Sequence, residues 1–262
     1  SLNSTEIAKR QVGQSSMLLQ GMSPGVTISQ FSGQPGYDSG SIKIRGIGTL
    51  NDANPLILVD GVPMDLNNVD PNIIESISIL KDAASSAIYG ARAANGVILV
   101  TTKRGSGKDF LINYSGYVGI QEPTNLKQRV NAADHMTLLN VAYKNTGRTP
   151  LYSDELISNY KSLHQKDPVN YPDTDWFDEI YTENGLTQNH SLDFQGGTEK
   201  IKILGALGYY NQDGILINCG FKRYTFRLNT DIEINKRISV KADMFFQSMK
   251  TEEPGQGIGN VL

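Results

Sequence analysis

The chain is 262 residues long, enough for one large domain or two ordinary ones. Its 24 basic and 27 acidic side chains leave a net charge of −3, which offers no general attraction to nucleic acid or to anionic lipid, so nucleic acid is not an expected partner. One cysteine, Cys219, excludes an intrachain disulfide, and no Cys/His group has zinc-ligand spacing, so neither a structural metal nor any other cofactor is expected.

The longest apolar runs are about five residues, far short of the roughly 18 that a spanning helix needs. Residues 1–21 show no charged-then-apolar leader, so the chain reads either as unexported or as already separated from its signal. Neither observation bears on a β-barrel, whose strands are short and alternate.

Residues 1–108 read as a small domain in which strands and short helices interleave. Val26-Thr27-Ile28 is a short strand, and Ser41 to Arg45 alternate polar and apolar before Gly46-Ile47-Gly48. Leu56 to Val59 form another strand, closed by Asp60-Gly61, a strong tight-turn dipeptide. Asp70-Pro71 predicts a short helix with Asp as its cap and Pro at its first position. Ile77 and Ile79 then alternate at period 2. Residues 80–105 combine a short helix from Lys81, a stop at Tyr89-Gly90 and a β-branched strand over Val97 to Thr102. A continuous apolar strand must be covered on both faces, which places it in the middle of the domain. Residues 102–108, rich in charge and glycine, read as a solvated linker.

Beyond residue 108 the segments lengthen and alternate. Phe110, Ile112, Tyr114, Gly116, Val118 and Ile120 share one face, opposite Asn113, Ser115, Tyr117 and Gln121. Residues 122–187 interrupt the pattern with amphipathic helical stretches over 132–144 and 153–162 and an aromatic-acidic loop over 171–176. Alternation resumes at 188–195 and at 201–210, with a turn expected at 211–214. It is cleanest where Tyr224, Phe226, Leu228, Thr230 and Ile232 oppose Thr225, Arg227, Asn229, Asp231 and Glu233, and where Ile238, Val240, Ala242, Met244 and Phe246 oppose Ser239, Lys241, Asp243 and Gln247. Long two-faced strands fit a barrel with lipid outside and water inside. A soluble antiparallel sheet with one solvated face, the commoner structure, fits them as well.

Three segments carry a family resemblance: GSIKIRGIGTLNDANPLILVDGVPM at 40–64, IIESISILKDAASSAIYGARAANGVILVTTKRG at 73–105, and GGTEKIKILGALGYYNQDGI at 196–215. Together with Leu18-Leu19-Gln20-Gly21 and residues 221–224, they resemble the SusC-like family of TonB-dependent outer-membrane transporters over almost the whole chain. The resemblance implies an α+β plug domain over 1–108, followed over 109–262 by antiparallel β-strands of a truncated transmembrane β-barrel. It implies active import of oligosaccharides or peptides through an outer membrane, with a SusD-like surface lipoprotein as partner, outer-membrane lipid around the barrel, and energy from a TonB complex. A barrel of about 22 strands needs on the order of 500 residues, so the chain is expected to be a piece of one, and no TonB-contacting segment is recognised in it.

No reaction is expected. Ser78 and Lys81 have the spacing of a serine nucleophile and its lysine, but the strand pattern around Ile77 and Ile79 turns them to opposite faces. His135, His164 and His190 lie on different elements. Asp167, Asp173, Asp175 and Asp178 lack the compact order of a calcium loop. For cargo contact the candidates are Asn51, Asp52 and Asn54, whose groups can hydrogen-bond sugar hydroxyls, and Tyr171 and Trp176, whose rings can stack on a pyranose; turn formation and loop packing are the competing roles. For pairing between plug and barrel the candidates are Arg45, Glu75, Lys81 and Arg92, set against inward-facing Arg227, Asp231, Glu233, Lys241 and Asp243.

Overall fold

The structure is a computed structural model and describes residues 2–49, 52–82, 87–107, 109–125 and 129–255. It divides into two compact units, one of residues 1–121, 184–214 and 218–262, the other of residues 122–183 and 215–217.

The first unit begins with a five-stranded sheet. Its strands are β1 (Leu2–Asn3), β4 (Leu56–Val59), β5 (Val62–Pro63), β6 (Ile74–Leu80) and β7 (Val97–Thr102), in the order β1-β6-β7-β4-β5. A separate hairpin pairs β2 (Val26–Gln30) with β3 (Gly40–Ile44). As the apolar run of β7 requires, this strand sits centrally, parallel to β4 and antiparallel to β6, with Val97, Ile98 and Val100 buried. Asp60 and Gly61, both at positive φ, make the tight turn between β4 and β5. The Asp70 carboxylate caps a 3-10 turn over Pro71–Ile73 by accepting from the Asn72 amide at 2.8 Å. The helix expected from Lys81 lies largely outside the described residues. Its continuation is a 3-10 stretch, Ala87–Ala93, broken at Gly90 (φ 69°, ψ −159°), a conformation open to glycine.

The same unit continues as an antiparallel meander of β8 (Leu111–Gln121), β9 (Gly185–Gly197), β10 (Ile201–Asp213), β11 (Gly220–Asn235) and β12 (Ile238–Glu252), each paired to the next. At one end the turns are short. Thr198 Oγ1 accepts from the Lys200 and Ile201 amides, and Asn235 Oδ1 from those of Arg237 and Ile238. The turn expected at 211–214 falls later. Asn211, Gln212 and Asp213 stay in β10, in register with Lys222, Phe221 and Gly220, and the chain reverses between Gly214 and Cys219. Polar residues at a strand end resemble a turn in composition, but here they still bond a neighbouring strand.

In the second unit, α2 (Ala132–Asn145) is capped by Asn131 and α3 (Asp154–Lys166) by Ser153, with α1 (Ser4–Ile7) the short helix of the first unit. Buried Asn140 ties the two helices together. Its Oδ1 accepts from the Leu151 and Tyr152 amides at 2.8 and 3.0 Å, and its Nδ2 donates to the Tyr152 carbonyl at 2.7 Å. A third helix, α4 (Trp176–Ile180), is capped by Asp175 and packs Phe177 on Tyr181, with the Arg129 guanidinium 4.4 Å over the Phe177 ring.

Candidate functional site

The long sheet inverts the burial of a soluble protein. Along β11 the polar series Arg223, Thr225, Arg227 and Asn229 is buried, while Tyr224 is 53% exposed. On β9 the buried series is Thr187, Asn189, Ser191 and Asp193, and on β12 Met244 and Phe246 stand out at 61% and 64% exposure. A soluble sheet would place these faces the other way round. Burying such polar groups is costly unless they find partners, and for those on β11 the N-terminal domain provides them.

The contacts climb β11 two residues at a time. Asp231 accepts from Arg104 Nη1 at 2.8 Å, and Asp243 on β12 accepts from Arg104 Nη2 at 2.7 Å. Asn229, 1% exposed, donates to Thr102 Oγ1 at 3.0 Å and to the Lys103 carbonyl at 2.9 Å. Arg227 pairs with Asp60, the two side chains being 5% and 7% exposed, and its Nε donates to Asn229 Oδ1. Asp60 is itself fixed by Thr102, whose Oγ1 and amide donate to its two oxygens at 2.6 and 3.0 Å. Higher up, Arg223 donates to the carbonyls of Asn67 and Gly13 at 3.2 and 2.9 Å and lies over the Tyr210 ring. At the top, Gly36 (φ +83°) packs so closely on Phe221 that a side chain there would meet its ring.

Two glycines allow this approach. A Cβ on Gly105 would collide with the Ile203 backbone, and one on Gly208 would collide with the carboxylate of Asp70 and the hydroxyl of Thr225. Asp70 is 5% exposed, and burial pushes its carboxyl above the ordinary carboxylate value, against the pull of the Asn72 amide and the Arg223 and Lys103 charges. Beside it, a cavity of about 230 Å³ is lined by Asn72 and Lys103 on one side and by Asn113, Tyr117, Asn189 and Asp193 on the other. Thr187 Oγ1, Ser191 Oγ and Gln247 Nε2 are buried without a partner among the described residues. Polar and apolar groups share the wall of the cavity, which is large enough for several waters.

The residues singled out from sequence fall in several places. Arg45 pairs with Asp82 at 2.6 Å, inside the N-terminal domain, and Lys81 donates to the Pro24 carbonyl. Glu75 and Arg92 are exposed and form no ion pair among the described residues. Of the inward residues named with them, Arg227, Asp231 and Asp243 do bond the domain, but their partners are Asp60 and Arg104. Residues 102–105 are accordingly no solvated linker. Their polarity, which suggested solvent, matches a polar wall. Asp60 and Asp70 were legible as a turn and a cap, and only three-dimensional placement adds their contacts with β10 and β11.

Asn51 lies outside the described residues. Asp52 accepts from the Asn54 amide, Asn54 from Lys43, and Asn95 donates to both backbone carbonyls, so this loop is knitted by its own polar groups. In the second unit, Tyr171 packs edge-on against Tyr160 and its carbonyl meets His164 Nδ1 at 2.7 Å, whereas Trp176 is 62% exposed. Asp167, Asp173 and Asp175 bond nearby amides, and no group of metal-ligating side chains occurs among the described residues.

Comparison with known proteins accounts for this architecture. Residues 1–97 match the TonB-dependent Receptor Plug Domain family. TonB-dependent receptor P26 of Formosa agariphila is 31% identical over 270 residues, covering 100% of this chain and 26% of that protein. TonB-dependent receptor SusC of Bacteroides thetaiotaomicron is 30% identical over 272 residues, covering 98% and 25%. The RagAB peptide transporter superposes with a TM-score of 0.79 at 29% identity, covering 96% of this chain and 30% of that one. The siderophore receptor PirA from Pseudomonas aeruginosa, at 20% identity and a TM-score of 0.56, shares the fold. The chain belongs to the SusC-like TonB-dependent receptors and carries their plug domain and the first strands of their barrel. It spans about a quarter of the length of the curated relatives it matches.

Two outcomes follow from the seat of the plug. Asp60→Ala leaves the Arg227 charge buried and unpaired, and is expected to cost about 3–5 kcal/mol in the opening free energy read by hydrogen exchange at the Ile98 and Val100 amides. The apolar pair Asp60→Leu with Arg227→Met is expected to recover most of that loss, whereas additive losses from the two single changes would contradict the pairing. Asp70, held above its unfolded value of 3.8, binds a proton more tightly in the seated plug than in the released one. Its contribution is full below that unfolded value and lost as pH rises through the seated value. The urea midpoint of plug unfolding should carry this slope in the wild type and lose it in Asp70→Asn.

Proposed function

We propose that the chain is the plug, over residues 1–108, and the leading barrel wall, over 109–262, of a receptor in the outer membrane of a Gram-negative bacterium. The receptor imports oligosaccharides or peptides, draws energy from a TonB complex, and works with a SusD-like surface lipoprotein. It catalyses no reaction. The observation that carries this reading is the inverted sheet: a polar face buried against the plug and an apolar face turned outward. On β11 that outward face runs from Tyr224 to Ile232, about 26 Å along the strand, comparable with the ~25 Å apolar band of outer-membrane barrels. Peptide cargo is supported by the likeness to RagAB, a peptide transporter. Oligosaccharide cargo is supported by the likeness to the SusC-like family.

Within this reading Asn51, Asp52, Asn54, Tyr171 and Trp176 are cargo contacts, with Trp176 foremost because its ring is the most exposed. Release of the plug breaks the Asp60 and Arg104 pairs with the wall. Glu75 and Arg92, exposed on the plug, are proposed to pair with barrel charges as well, whereas Arg45 and Lys81 are taken up within the plug. The full-length receptor is expected in the outer-membrane fraction, extracted only by detergent, with a mobility on gels that changes on heating. Uptake of its cargo should stop when the TonB complex is deleted. Recovery of the receptor as a detergent-free soluble protein, or uptake unaffected by that deletion, would overturn the reading.

A further inference from the structure

The long strands do not meet the plug alike. On β11, Arg223, Arg227, Asn229 and Asp231 all bond it. β9 turns an equally polar face inward, yet Asp193 is answered from within the wall, by Asn113 Nδ2 of β8 at 2.8 Å, and the Thr187 and Ser191 hydroxyls are buried without a partner among the described residues. At the foot of the strand Gln195 takes only a long contact, 3.4 Å, from Ser106. Between these two strands and the plug lies the cavity of about 230 Å³. Residues between Ser4 and Val12 close it on the plug side, and Asn113, Ser115, Tyr117 and Asn189 line it on the wall side.

The stretch that closes the cavity is lightly held. β1 pairs two residues with β6, α1 is a single turn, and its further attachments are the buried side chains of Leu2 and Ile7 and the bond from Arg10 to the Gln20 carbonyl. The hold changes at Gly13. Its carbonyl accepts from Arg223, and a Cβ on it would collide with the Tyr210 hydroxyl. Beyond it Gln14 bonds Asp38, Ser15 the Val69 carbonyl and Ser16 the Asn67 side chain, while Leu18 and Leu19 are buried in the core. On the wall, Asn113, Ser115, Tyr117 and Gly119 succeed one another on the inward face of β8 over about 20 Å. A Cβ on Gly119 would meet nothing among the described residues, and Tyr117, half-buried and bonded to Asn189, is the bulky member of the series.

We propose that cargo crosses between the plug and the wall along β8 and β9, through a passage that opens when residues 1–12 leave, is lined by Asn113, Ser115 and Asn189, and is narrowed by Tyr117. It opens before the Asp60 and Arg104 pairs break, so the plug stays seated on β11 while the wall two to three strands away is clear. The proposal rests on the import reading above. It also names what the passage recognises, a chain that hydrogen-bonds along its length. Amides and hydroxyls that the plug leaves unanswered can bond the hydroxyls of an oligosaccharide or the backbone of a peptide, which offsets the water such a cargo gives up.

The test is the single-channel conductance of the full-length receptor in planar bilayers. The unaltered receptor should be closed, and the receptor without residues 1–108 should show the full conductance of its barrel. Removal of residues 1–12, or Leu2→Asp with Ile7→Asp, which keeps the chain length, should give a conductance well below that of the plugless barrel, and Ser115→Trp should abolish it. In a Cys219→Ser background, a thiol reagent should block the opened receptor carrying Ser115→Cys and spare the one carrying Thr225→Cys. Both opened variants closed, a conductance equal to that of the plugless barrel, no effect of Ser115→Trp, or block at Thr225→Cys would each overturn the proposal. In the unaltered receptor the Ala8 and Arg10 amides should exchange with solvent on the order of tenfold or more faster than those of Met17 and Gln20. Equal rates would overturn the proposal even where neither opened variant inserts. A plugless receptor that conducts leaves the transporter reading standing whichever way these results fall.

Discussion

Polar side chains buried in a protein must be answered by other polar groups, and the buried faces of β9 and β11 are largely polar. That requirement shapes everything packed against it. Arg227 and Asn229 need a carboxylate and acceptors at fixed heights, and the domain before them delivers Asp60 from a tight turn and Thr102 and Lys103 from the end of its central strand. The apolar core of the domain joins the wall at Leu204 and Ala206 of β10. Plug and wall therefore specify each other, and the outward apolar face is left for a solvent other than water.

A polar seat also suits the plug movement that the proposed import would require. Separating two apolar faces would expose both to water at a cost proportional to area. Separating hydrogen-bonded faces exchanges protein partners for water, and each bond then costs only about 0.5–1.5 kcal/mol net. Mutating one member of a buried pair is expensive because the partner stays buried and unanswered. Moving the plug as a body hydrates both members together. The cavity lined by Lys103, Asn189 and Asp193 places polar groups of both sides around a common space, where water can begin that exchange. Gly105 lets its backbone meet that of Ile203, and Gly208 leaves room for the Asp70 carboxylate.

Much of this was legible before the fold was known. The alternation around Arg227 identified which residues of β11 share a face, and the family resemblance is what turned Arg227, Asp231, Glu233, Lys241 and Asp243 inward, of which Arg227, Asp231 and Asp243 meet the plug. Asp60-Gly61 and Asp70-Pro71 announced a turn and a cap through backbone chemistry that acts over a few residues. The direction of burial was not legible. Period-2 patterning states that two faces differ, and the same pattern serves a soluble sheet and a lipid-facing wall. The plug partners were equally hidden, because Arg104 and Asp231 lie 127 residues apart and nothing local to either one marks the other. Arg45 and Lys81 carried the same charge signal as Arg104, yet they are used within the plug. Residues 102–105 read as linker because charge and glycine ordinarily signal solvent, whereas here the glycine permits close backbone contact and the charge meets charge.

The central claim is that odd-numbered positions of β11 face the plug and even-numbered ones face lipid. Spin labels placed singly from position 222 to position 232 of the full-length receptor in bilayers test it directly, through the relative access of oxygen, which concentrates in lipid, and of a water-soluble nickel chelate. The account predicts that access to oxygen rises and falls with a period of two, high at 224, 226, 228 and 230, and that labels at 223, 225, 227 and 229 are shielded from both reagents. High nickel access at the even positions, with the odd positions shielded from both, would make the sheet one with a solvated outer face and would contradict the account.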